Sequence, residues 1–188
     1  MWVVGGDEAS EWLSREDEAC RDDRLARLRW IASLAPPSEY WYFNGGLTAK
    51  SLFEEARYSF VYGQFLATVL TGLAFLEREL SAQFFASGRN DLTNASITRL
   101  IDEALKYGWI TAAQHRQLTR ARRVRNTVAH YQEAQARLNQ HGPKERHGEE
   151  DFRELHRRVL AEGKTPYEAW EEDARSMLQL VFTYLSFA

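Results

Sequence analysis

From Phe53 to Leu80 the apolar residues Phe53, Ala56, Phe60, Phe65, Leu66, Val69, Leu70, Leu73, Leu76 and Leu80 recur mostly in steps of three and four. Such steps place them along one stripe of an α-helix, so the spacing predicts a single long amphipathic helix from about Ala49 to Ser87. A stripe of that length must be covered, and no segment of the chain carries the two-residue alternation of a strand. Other helices have to supply the cover. Gly63 and Gly72 each cost about 0.5–1 kcal/mol relative to Ala inside a helix, so they mark either close helix packing or a bend.

The other helices are legible from their starts and stops. Between Ser10 and Leu34 the composition is charged, and Leu25, Leu28 and Ile31 or Ala32 recur at helical intervals until Pro36-Pro37 forbids continuation, as in a surface helix. Tyr40-Trp41-Tyr42-Phe43, closed by Asn44-Gly45-Gly46, is expected to plug one end of the core. Large aromatics are mostly buried for their area, which favours that role over base stacking. Ile97, Leu100, Ile101, Ala104 and Leu105 are spaced for a short helix that Gly108 can end in the left-handed conformation. Thr111 with Gln114 has the form of a capping box, opening a helix with Leu118, Ala121, Val124 and Val128 on its inner face. A polar, solvated loop follows at 139–148, and Phe152, Leu155 and Val159 allow one short helix. Thr165-Pro166-Tyr167-Glu168 then combines an N-cap, a proline at the first helical position and a capping glutamate. The helix it starts carries Trp170, Ala174, Met177, Leu178, Val181 and Leu185 on its apolar face.

These signals describe one all-α domain of 188 residues without internal repeats, a size that buries a sufficient core without staples. Its parts are an N-terminal helix and aromatic loop (1–46), core helices (47–131), a polar insertion (132–165) and a C-terminal helix (166–188). The lone Cys20 has no partner for an internal disulfide and points to a reducing compartment. The N-terminus shows no basic leader followed by a long apolar run, and Val61 to Leu76 is shorter than the roughly 20 residues a bilayer requires. A cytoplasmic protein without membrane contact is expected. A net charge of −3 argues against wholesale wrapping by nucleic acid, so any RNA contact must rest on a local patch.

One helix supplies such a patch. Between Thr111 and Tyr131 lie Arg116, Arg120, Arg122, Arg123 and Arg125 and no acidic residue. At its end, Arg125-Asn126-Thr127-Val128-Ala129-His130 sets a permanently charged guanidinium near an imidazole able to exchange a proton around neutral pH. A guanidinium that holds a phosphate and an imidazole that moves its proton suffice to cleave RNA without a metal. Residues five apart on a regular helix diverge by about 140°, so Arg125 and His130 face one ligand only if the helix bends or two copies meet. Asn126 can bond freed backbone groups at a bend or orient the imidazole.

The segment Leu118 to His130, an Arg, a polar residue, three more residues and a His on the penultimate long helix of an all-α chain, resembles the HEPN superfamily, which includes metal-independent ribonucleases. The lead-in from Leu100 to Ile110 is similar as well, and the likeness extends over about two thirds of the chain. It implies a bundle of four or five helices, dimerised so that two Arg and two His side chains share a cleft. There His130 acts as general base or acid and Arg125 holds the phosphate, with Asn126 completing the motif. Arg116, Arg120, Arg122, Arg123 and Tyr131 would bind RNA, with products ending in a cyclic phosphate and a 5′-hydroxyl. The resemblance also implies a toxin or defence role, with an antitoxin or nucleotidyltransferase as partner. In one toxin branch a tyrosine two places after the histidine is modified by such a partner. Here Gln132 occupies that place and Tyr131 follows the histidine directly, so the modification is not carried over.

No cofactor is expected, since the chain has no phosphate-cradling glycine loop and no His-Glu-X-X-His. His141, His147 and His156 lack metal-ligand spacing, and His115 reads as a solvated surface residue. Two rival readings remain: a non-catalytic helical module binding RNA or an acidic protein, and a purely structural dimerisation domain.

Overall fold

The structure, a computed structural model, describes residues 6–34, 42–129 and 163–185. Among the described residues there are six α-helices, one short 3-10 turn and no strand: α1 (Gly6–Leu34), α2 (Gly46–Val61), α3 (Phe65–Ala86), α4 (Ile97–Lys106), α5 (Ala112–Ala129) and α6 (Pro166–Leu185). The all-α class stands, and the described residues alone hold six helices where four or five are expected.

The apolar run from Ala49 to Ser87 is not one helix. Its stripe continues across residues 61–65 because α2 and α3 bury their faces in the same core, but the chain reverses between them. The break is at Gly63, with φ of +75°. There Gln64 N–H donates to the Ser59 carbonyl at 2.7 Å and Gly63 N–H to that of Phe60 at 3.0 Å, the two bonds of a glycine-terminated helix end. The reading of Gly63 as packing or bend is thereby corrected to a stop. The turn is also crowded, since a β-carbon on Gly63 would sit 2.5 Å from the Tyr167 hydroxyl and 3.1 Å from Arg27 Nη1. Gly63→Ala is therefore expected to cost about 1–3 kcal/mol, the left-handed penalty plus displacement of Tyr167. Urea denaturation would read this as a lower midpoint at unchanged slope.

Helix α3 is the axis of the bundle and packs against α2, α4, α5 and α6. Phe53 stands at the centre of an aromatic cluster, with ring centroids 5.6 Å from Phe43, 5.8 Å from Phe75 and 5.5 Å from Phe182. Of the aromatic segment, Phe43 thus plugs the core as expected, whereas Tyr42 is 72% exposed; Tyr40 and Trp41 lie outside the described residues. Gly72 lets α6 approach closely, because a β-carbon there would lie 2.6 Å from Met177 Cγ. At the other end of α3, the fully buried Glu79 accepts from Asn44 N–H and Gly45 N–H, each at 3.0 Å. Helix α2 has no capping side chain of its own, and this carboxylate takes that place.

Helix α1 docks differently from expectation. Leu25 and Leu28 are exposed, and the face turned inward carries Cys20, Arg24, Arg27, Ile31 and Leu34. Arg27, 7% exposed, lays its guanidinium over the Phe65 ring at 5.0 Å and donates to the Val61 carbonyl at 3.4 Å. An arginine stem with a satisfied head serves as well as a leucine here. By contrast residues 8–19 are exposed on every side.

The predicted caps hold. Thr111 N–H donates to Gln114 Oε1 at 2.7 Å while Gln114 N–H donates to Thr111 Oγ1 at 3.2 Å. Thr165 and Glu168 repeat the arrangement at 2.7 and 3.2 Å, and the Thr165 N–H holds the Glu168 carboxyl below its ordinary range. Gly108, at φ +72°, ends α4 as expected. Residues 139–148 and the helix suggested around Phe152 lie outside the described residues.

Candidate functional site

Helix α5 is positioned by three neighbours. Leu118, 4% exposed, points into the core, with Ala121 and Val124 packed against its edge. On one flank His115 Nε2 pairs with Asp102 Oδ1 of α4 at 2.8 Å. This corrects the reading of His115 as solvated, since α4 and α5 form a hairpin across the Gly108 turn that brings residues 102 and 115 together. On the other flank Arg120 Nη2 lies 3.5 Å from Asp173 Oδ1 of α6.

The five arginines do not form one patch. At about 100° per residue, Arg116, Arg120 and Arg123 fall within about 60° of each other, while Arg125 points about 180° away from Arg116 and one heptad beyond Leu118. Exposure follows this geometry: Arg116, Arg120 and Arg123 face solvent, whereas Arg122, Arg125 and Asn126 are half-buried. Arg120 has its partner in Asp173. Arg116, Arg122 and Arg125 have no anionic partner among the described residues.

Through Ala129 the helix is continuous, and the described residues include no left-handed non-glycine residue and no cis peptide. Asn126 stands inside this continuous helix. His130 and Tyr131 lie outside the described residues, as do His141, His147 and His156. Among the described residues no group of three or more His, Cys, Asp or Glu side chains is arranged to hold a metal ion. No described helix is long and apolar enough to cross a membrane.

The concavity on this side of the bundle is small. A cleft of about 160 Å³ between α3, α5 and α6 has Gln117, Arg120, Asp173 and Ser176 at its rim and Val69 and Met177 among its walls. That is well below the roughly 300 Å³ at which small-molecule sites begin. Outside this cleft, α5 presents the exposed side chains of Arg116, Arg120 and Arg123.

Neither a family model, nor a curated protein, nor a solved structure matches the chain.

Proposed function

We propose that the chain is a metal-independent endoribonuclease of the HEPN type, with Arg125, Asn126 and His130 as its catalytic group. The observation that carries this reading is the state of Arg122 and Arg125. Both are half-buried on an acid-free helix, without an anionic partner among the described residues. A guanidinium partly withdrawn from water favours a bound anion, and a phosphodiester matches its fork. His130 follows five residues later and supplies the group that takes the 2′-hydroxyl proton or returns one to the leaving oxygen. The divergence of residues five apart on a regular helix, together with the small cleft beside α5, favours a cleft built between two copies. A toxin or defence role, with an antitoxin or nucleotidyltransferase alongside, belongs to the same reading by resemblance.

A second reading draws on the outward arginines. Arg116, Arg120 and Arg123 can hold a nucleic-acid backbone without any help from His130, which is what a binding module requires. Incubating the protein with end-labelled RNA in excess EDTA separates the two. Fragments ending in a cyclic phosphate and a 5′-hydroxyl are the expected result; salt-dependent retention without cleavage would select the binding module.

A further inference from the structure

Helix α5 has a further face, between its outward arginines and the core. His115, Thr119, Arg122 and Asn126 follow one another by four, three and four residues, so on a regular helix they fall within about 60° of each other. His115 fixes where that row lies, because its Nε2 is 2.8 Å from Asp102 Oδ1 of α4. The row therefore runs along the side of α5 that meets α4. All four side chains are half-buried. Each keeps hydrogen-bonding capacity that nothing among the described residues takes up: the second ring nitrogen of His115, the Thr119 hydroxyl, the Arg122 guanidinium and the Asn126 amide. Thr119 shows this most clearly. Thr68 and Thr71 of α3 donate back to the carbonyls of Gln64 and Ala67 at 3.1 and 2.7 Å, a common use of a hydroxyl inside a helix, whereas Thr119 makes no such bond.

We infer that this row is a track for the phosphate backbone of an RNA strand, which lies along the seam between α4 and α5 from His115 through Thr119 and Arg122 to Asn126. The inference rests on the ribonuclease reading in one respect, the identity of the anion as RNA. The chemistry of the row selects a phosphate ligand. Arg122 is a permanent cation whose fork suits phosphate oxygens, Thr119 and Asn126 donate to such oxygens, and His115 donates from its second nitrogen when the ring is protonated beside Asp102. From His115 to Asn126 the row spans about 16 Å at about 1.5 Å per residue. That is too long for one phosphate group and suits a chain of them. On the outward face, by contrast, Arg120 already pairs with Asp173 and Arg123 also has a partner. The row ends at Asn126, next to Arg125, so a strand lying on it is delivered to the group assigned to cleavage.

The test measures binding apart from cleavage. Fluorescence anisotropy of the full chain with a labelled 2′-O-methyl RNA oligonucleotide, which lacks the hydroxyl that cleavage requires, reads affinity whether or not the protein cuts RNA. Arg122→Ala should weaken binding about tenfold or more and lower the salt slope by about one unit. Thr119→Val, which removes only the hydroxyl, and His115→Gln, which can still bond Asp102, should each weaken it by a smaller factor. Lys50→Ala, which takes the same charge from the exposed side of α2, should leave affinity nearly unchanged. Unchanged circular dichroism would verify that each variant folds. An affinity that Arg122→Ala lowers no more than Lys50→Ala does, or a wild type that binds no oligonucleotide, would overturn the inference. A protein that cleaves no RNA yet loses affinity through Arg122→Ala and Thr119→Val would refute the nuclease reading and leave the track in place.

Discussion

His130→Ala is expected to slow RNA cleavage on the order of 100-fold or more while leaving RNA affinity and helix content nearly unchanged. General acid-base transfer by a positioned side chain contributes about 100- to 10,000-fold, and removing the imidazole removes that contribution without touching a core residue named above. Arg125→Ala should behave differently. Loss of the guanidinium takes away both ground-state binding and the charge stabilisation that grows as the phosphate gains negative charge, so affinity and rate fall together. Arg116→Ala, on the outward side of α5, should lower affinity and reduce the salt slope by about one unit, with cleavage of bound RNA unaffected. His141→Ala and His147→Ala, in the polar segment with no assigned role, serve as controls. Cleavage that survives His130→Ala unchanged, in a preparation free of contaminating nuclease, would place the chemistry elsewhere and leave the binding module as the better account.

Replacing Glu79 should do the largest damage to stability. Its carboxylate is fully buried and accepts from the backbone N–H groups of Asn44 and Gly45 and from Asn44 Nδ2 at 3.3 Å. Glu79→Ala leaves part-buried donors without this acceptor, each costing about 1–3 kcal/mol, and removes the carboxylate that caps the start of α2. A total loss of about 2–4 kcal/mol is expected, seen as a fall of roughly 5–15 °C in the thermal midpoint. Glu79→Gln keeps one oxygen and turns an amide against the other donor, so it should fall between Ala and wild type. Equal stability of wild type and Glu79→Ala would show that the turn at Asn44-Gly45 is held by something else. The neighbouring Tyr184 phenol, pushed upward by burial and by Glu79, stays protonated and bonds Gln83 Oε1.

The outlines of this fold were readable from local chemistry, and the departures have a common cause. Thr111 with Gln114, Thr165 with Glu168, and Gly108 act within one turn of chain, so their residue types alone reported what they do. Gly63 was harder. A hydrophobic stripe reports which side chains share a core, and Phe60 and Phe65 share one although the chain reverses between them. Arg27 was missed on α1 because its burial depends on Phe65, Val61 and Glu171, none of which is local. Similarly, Glu79 looks like any solvated glutamate until the turn at Asn44 is folded over it. For the candidate site, counting arginines along α5 located the basic helix but not its two faces. The separation of Arg125 from Arg116 follows from helical geometry, whereas the pairing of Arg120 with Asp173 required α6 to be in place.

Because α3 and α6 pack closely where Gly72 receives Met177, the order of synthesis matters. A ribosome adding about 5–20 residues per second completes α3 several seconds before α6 emerges. During that interval the groove along Gly72 is an open apolar channel on an otherwise nearly finished bundle. Until α6 fills it, that apolar surface is open to another molecule's equivalent helix.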